Sequence, residues 1–193
     1  MGPRGLRPWS GAVAVCTTIG SILLATLLSP SFSWRANALS NLGVTSTAVG
    51  TTTTALLFNG GLIAGGAVGL LFCAVVYGTA ANRGQRAVAV LLSLTLVLMA
   101  LVGVFPQGTA AHFPVAAGFY LMISVTLWVD TGVRFAGGQR RRALFSGGAG
   151  TANLLTWLVY AAAGAPWGLA VPEIIGAFVF GSWVLARSHE LAG

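Results

Sequence analysis

The alternation of long apolar stretches with short arginine-bearing turns constrains this chain most. Six stretches, at about 9–28, 53–77, 87–105, 113–132, 144–164 and 169–186, are each long enough as a helix to cross ~30 Å of hydrocarbon at a rise of ~1.5 Å per residue. A backbone inside lipid must satisfy its own hydrogen bonds, and a continuous apolar run does so only as a helix. A transmembrane barrel would show short alternating segments, and none occur. Only 7% of the residues are charged, against about 25% in a soluble domain, so the chain cannot coat a water-soluble globule. The expected fold class is all-α, an integral membrane bundle of six transmembrane helices forming one domain over residues 1–193.

The turns orient the bundle. All ten basic residues are arginine. Arg4 and Arg7 precede the first stretch, Arg83 and Arg86 lie between the second and third, Arg134, Arg140, Arg141 and Arg142 between the fourth and fifth, and Arg187 after the sixth. Six crossings put all of these on one side and leave Arg35 alone on the other. The positive-inside rule makes the crowded side cytoplasmic, with both termini inside (N-in/C-in), in a multi-pass protein of the cell membrane. Arginines set between apolar runs are topology signals, so nucleic acid is not an expected partner; membrane lipids are. The first stretch is longer than a signal-peptide core and lacks an A-x-A site, so it reads as a retained helix. Cys16 and Cys73 sit within apolar runs and read as small hydrophobes.

Much chemistry is excluded by what is missing. Without lysine there is no Schiff base and no P-loop. The two histidines, His112 and His189, fall on opposite sides and cannot ligate one haem. No His/Cys cluster suits zinc, and no Gly-x-Ser-x-Gly or dinucleotide motif occurs. No cofactor and no metal are expected.

Small residues mark close packing. Gly61, Gly65 and Gly69 form a ridge on the second helix, and Ala177 and Gly181 share the same spacing on the sixth. Such a ridge packs either within the chain or against a second copy, which makes a homo-oligomer possible. Trp9, Trp128 and Trp183 toward the inside, and Trp34 and Trp167 toward the outside, read as an interfacial belt; Trp157, mid-helix, reads as core. Asn153 should turn into the bundle to find a partner, and Asp130 should pair with Arg134 one turn later.

The candidate site lies on the outer face. The longest connection, about residues 29–52, carries Trp34, Arg35, Asn37, Ser40 and Asn41. Glu173, His112 and Arg35 are the only outer acid, histidine and arginine, and Asn59 sits at similar depth. Glu173 follows Pro172 at a helix start, so it either faces its own helix dipole or pairs with Arg35, directly or through His112. The expected ligand-binding set is Trp34, Arg35, Asn37, Ser40, Asn59, His112 and Glu173, lining a polar pocket that opens outward.

These outer-face residues carry a resemblance. Phe32-Ser33-Trp34-Arg35-Ala36-Asn37-Ala38-Leu39-Ser40-Asn41-Leu42-Gly43, Leu57-Phe58-Asn59-Gly60-Gly61-Leu62, Leu101-Val102-Gly103-Val104-Phe105-Pro106, His112-Phe113-Pro114-Val115-Ala116 and Pro172-Glu173 resemble, in order and spacing, the blocks of an uncharacterised prokaryotic membrane family, domain of unknown function 998. A more distant likeness runs to eukaryotic membrane proteins of the Frag1/DRAM/Sfk1 type. The resemblance implies a six-helix membrane protein with no established activity, and it transfers no catalytic residue.

The resulting expectation is a protein that binds or handles a lipid or other amphipathic molecule at the extracytoplasmic face, with an anionic or zwitterionic headgroup held by the arginine, histidine, glutamate and amides. The alternatives are a structural or accessory membrane subunit, an outer-leaflet enzyme using His112 or Glu173 as acid–base with Ser33 or Ser40 as nucleophile, and a channel or transporter.

Overall fold

A computed structural model describes residues 8–164 and 167–193. Its elements are α1 (Ser10–Leu27), a short 3-10 helix η1 (Leu39–Gly43), α2 (Thr52–Gly78), α3 (Arg83–Val104), α4 (His112–Ala136), α5 (Arg140–Ala162) and α6 (Ala170–Ala192). No strand occurs among the described residues. Five helices, α1, α2, α3, α4 and α6, are long and apolar enough to cross a membrane. Helix α5 is comparable in length but opens on Arg140-Arg141-Arg142 and carries Gly147, Gly148, Gly150, Thr151 and Asn153, which dilute its apolar character. The chain therefore has the build of a multi-pass membrane protein.

The helices outrun the apolar windows mainly at the arginine-bearing ends. Helix α3 begins at Arg83, where the Asn82 side chain caps Gln85 N at 3.0 Å. Helix α4 runs on to Ala136, α5 starts at Arg140, and α6 continues through Arg187 and Glu190 to Ala192. Hydropathy marks where side chains meet hydrocarbon. The hydrogen-bond ladder extends beyond it, because arginine stems stay apolar while their heads reach water. Arg4 and Arg7 lie outside the described residues.

Sequential helices pack side by side, and α6 returns to α1 to close the bundle. Alternation of direction places the α1–α2, α3–α4 and α5–α6 connections at one end, here the η1 end, and Arg83, Arg86, Arg134, Arg140–142 and Arg187 at the other, the arginine end. The glycine ridge of α2 is filled within the chain: a Cβ on Gly61 would fall on Ser21 and one on Gly65 on the Thr18 hydroxyl, both from α1, while one on Gly69 would meet Leu96 of α3. The matching small residue Gly181 of α6 lies against Val15 and Ile19 of α1. Asn153 is fully buried and donates to Tyr120 O (2.8 Å) and Ser124 Oγ (2.9 Å), tying α5 to α4. Trp157 packs on Tyr120 with ring centroids 4.7 Å apart. Both cysteines are free.

Trp9, Trp34, Trp128 and Trp167 are all substantially exposed, as belt residues should be. Trp183 corrects the belt reading. It is only 1% exposed, and its indole donates to Asp130 Oδ2 (3.1 Å) and Ser146 Oγ (3.0 Å). An aromatic near a helix end faces the interface only if that side of the helix faces lipid, and this one faces a buried acid.

Candidate functional site

At the η1 end, the long α1–α2 connection folds back over the helices. It is fastened by main-chain bonds to the start of α6: Gly168 N donates to Arg35 O (2.7 Å) and Ala170 N to Asn37 O (2.9 Å). A Cβ on Gly168 would run into the Asn37 backbone, so only glycine allows this approach. Inside the loop, Asn37 Oδ1 accepts from Ser33 N and Asn41 Oδ1 from Ala38 N, each at 2.7 Å. The second of these bonds starts η1.

Helix η1 is then held from several sides. Its first two amides, on Leu39 and Ser40, donate to the Glu173 carboxylate, with Leu39 N to Oε2 at 2.6 Å. At its other end, Gly43 O accepts from Asn59 Nδ2 (2.8 Å) and Leu42 O from Thr54 Oγ1 (3.1 Å). Gln107 Oε1, in the α3–α4 turn, accepts from Asn41 Nδ2 (2.7 Å) and Ser40 Oγ (3.1 Å). The buried side chains Leu39 and Leu42 point η1 into the bundle.

Beneath η1 runs a narrow cavity of about 60 Å³. It is bounded by α1, α2, α3, α4 and α6, and none of its lining residues comes from α5. Its wall on α6 extends from Glu173 to Val184, about 16 Å at the helical rise of ~1.5 Å per residue. The lining is apolar along most of that length, with Phe58, Phe72, Leu96, Met99, Phe119 and Phe180 among its larger members. Most polar groups gather at the η1 end, where Ser40, His112, Tyr120 and Glu173 meet the space, and Thr18 of α1 lines it further down. His112 Nδ1 lies 2.8 Å from Phe105 O, and Tyr120 Oη donates to Glu173 O at 3.2 Å.

The expected site residues thus divide. Ser40, His112 and Glu173 share the cavity mouth. Asn59 lies beside it as a clamp on η1, and a Cβ on Gly43 would strike its Oδ1. Asn37 shapes the loop. Trp34 is exposed and meets Phe32 edge-on at 5.3 Å. The expected pairing of Arg35 with Glu173 is not formed: Arg35 is exposed and belongs to none of the ion pairs among the described residues. Backbone amides took the place of the guanidinium, satisfying the buried carboxylate without bringing a second charge out of water. The polar pocket expected here is instead a slim, mostly apolar space with a polar rim. Tyr120, Gln107 and Thr54 were not foreseen. Their partners lie on other elements: Tyr120 reaches Glu173 O on α6, while Gln107 and Thr54 reach η1.

The arginine end holds a second, denser assembly. Arg134 donates from Nε to Asp130 Oδ2 (2.6 Å) and clasps Glu190 with both terminal nitrogens, at 3.2 and 3.0 Å. Asp130 also accepts from Ser146 (2.6 Å) and Trp183. Glu190 further pairs with Arg187 (2.9 Å) and Arg142 (3.2 Å). The i,i+4 pair expected from sequence is present, within a network that joins α4, α5 and α6. Every carboxylate of the network meets an arginine, and Asp130 Oδ2 alone accepts three bonds, so it reads as a structural lock.

Fold and site together define a helical membrane protein of multi-pass type, built around a narrow apolar cavity capped by a short helix. The family described as "Protein of unknown function (DUF998)" matches residues 12–189, and the chain belongs to it. No curated protein and no solved structure matches the chain.

Proposed function

We propose that this protein binds the hydrocarbon chain of an amphipathic molecule in the central cavity, with the polar end of that molecule at the rim under η1. The observation that carries the reading is the division of the cavity itself, apolar along most of about 16 Å of α6 with Ser40, His112, Tyr120 and Glu173 gathered at one end and the Thr18 hydroxyl alone part-way down. Such a lining matches an alkyl chain in polarity, whose transfer from water is favourable by ~0.8 kcal/mol per buried CH₂. A long chain needs more than the ~60 Å³ present and enters by displacing flexible side chains such as Met99. Helix α5 crosses with its five neighbours, because it runs antiparallel beside α4 and α6 over 23 residues. Under the positive-inside rule the η1 end then faces outward from the cell membrane, which puts the rim at the level of outer-leaflet headgroups.

The test is direct. Protein purified in mild detergent is extracted, and the extract is examined by mass spectrometry. A single-chain amphiphile in near-stoichiometric amount is expected. Ala177 lines the cavity and is half-buried, so Ala177→Phe fills the space with little change elsewhere and should abolish the bound molecule. Equal recovery from parent and variant would overturn the reading.

A further inference from the structure

The rim has a hydrogen-bonding polarity, and it identifies the ligand's polar end. Ser40 Oγ gives its proton to Gln107 Oε1, and Tyr120 Oη gives its proton to Glu173 O. His112 Nδ1 faces the carbonyl oxygen of Phe105, a contact that only an N–H can make, so a neutral ring presents a lone pair at Nε2. The Glu173 carboxyl oxygens accept from the backbone amides of η1 and keep lone-pair capacity beyond them. The hydroxyl hydrogens of Ser40 and Tyr120 and the Nδ1 hydrogen of His112 are thus committed to the protein. What they turn toward the cavity is acceptor capacity. No lysine or arginine lines the space, and the single arginine of this end, Arg35, is exposed in the loop.

Resting on the chain-binding reading above, we infer that the amphiphile's polar end is a hydrogen-bond donor without negative charge, a hydroxyl or an ammonium. A carboxylate or phosphate headgroup would bring only acceptors to a rim of acceptors, and would set its charge beside Glu173 in a place that water leaves. A hydroxyl supplies one donor to the Glu173–His112 rim. An ammonium supplies three and balances the carboxylate. This replaces the anionic or zwitterionic headgroup expected from the sequence, which depended on Arg35 reaching the site.

The experiment uses four probes with the same chain, namely cetyl alcohol, cetylamine, palmitate and cetyl phosphate. Each is titrated at neutral pH against the full chain released from detergent, with bound molecules counted by native mass spectrometry. The alcohol or the amine should bind at least about tenfold more tightly than both anions, a difference typical of avoiding a like-charge contact. Binding of the alcohol alone marks a neutral ligand, and binding of the amine alone a cationic one; either supports the inference. Glu173→Gln should reduce the amine's advantage over palmitate by about tenfold or more. The ranking in the unmodified chain decides the matter even if that variant does not fold. Palmitate or cetyl phosphate binding as tightly as the alcohol and amine, and competed by Ala177→Phe, would overturn the donor assignment while leaving chain binding intact. Failure of all four probes, or binding indifferent to Ala177→Phe, would overturn both.

Discussion

The two ends of this bundle handle buried carboxylates in opposite ways. At the arginine end, Asp130 and Glu190 are met by arginines, a serine and an indole that close a network across three helices. At the η1 end, Glu173 is met by main-chain amides and, among the described residues, by no cation. The first arrangement pairs each carboxylate with arginine and ties three helices. The second leaves capacity over, directed at a cavity. In the proposed reading, one apolar bundle separates holding together from binding: carboxylates met by arginine serve the former, and a carboxyl met only by amides the latter.

The largest test of that contrast falls on Arg134. Arg134→Ala strips Asp130 and Glu190 of their shared partner and should destabilise the fold by about 3–5 kcal/mol, the range for breaking a buried pair from one side. Thermal unfolding in detergent reads this directly. A loss comparable to that of an exposed arginine would dissolve the distinction between the ends. Between them, Gly65→Leu drives a side chain into Thr18 on α1 and should cost about 1–3 kcal/mol through strain. A parent-like melting temperature would mean that the α1–α2 contact is looser than the glycine implies.

At the η1 end, Glu173→Gln keeps one acceptor oxygen but loses the charge and should cost about 1 kcal/mol. Its signature is local. Hydrogen exchange at the Leu39 and Ser40 amides should accelerate while the α4–α6 contacts at the far end keep their protection. Uniform acceleration would show that the ends unfold as one body. The smallest effect belongs to Arg35→Ala, expected within about 0.5 kcal/mol because the side chain is exposed and unpaired. Combined with Glu173→Gln it should be additive. Clear non-additivity would restore the guanidinium to the site.

What the sequence disclosed follows the physics of each feature. The helices were visible because hydropathy is local, and the Gly61–Gly65–Gly69 ridge because spacing of four residues fixes a face. Asn153 was visible because an amide in an apolar run must find a partner. Asp130–Arg134 showed for the same local reason, but Glu190 lies 56 residues from Arg134 and Trp183 lies 53 from Asp130, so their bonds depend on how α6 lies against α4. Glu173 and His112 were singled out by depth and Ser40 by its place in the longest loop. The partner chosen for Glu173 was wrong because amides carry no signature: every residue but proline has one, whereas Arg35 stood out. The cavity has no sequence sign, since it records how neighbouring side chains fail to touch.

The grip of Glu173 on η1 also bears on how such a site tolerates change over generations. Its ligands are the N–H groups of positions 39 and 40, which survive replacement of either side chain. Substitution there answers to volume at Leu39 and to the Gln107 contact at Ser40, while the latch itself persists through nearly the whole amino-acid alphabet. Proline alone erases it, by removing the hydrogen. A function fastened through the main chain can keep its geometry while the letters above it drift.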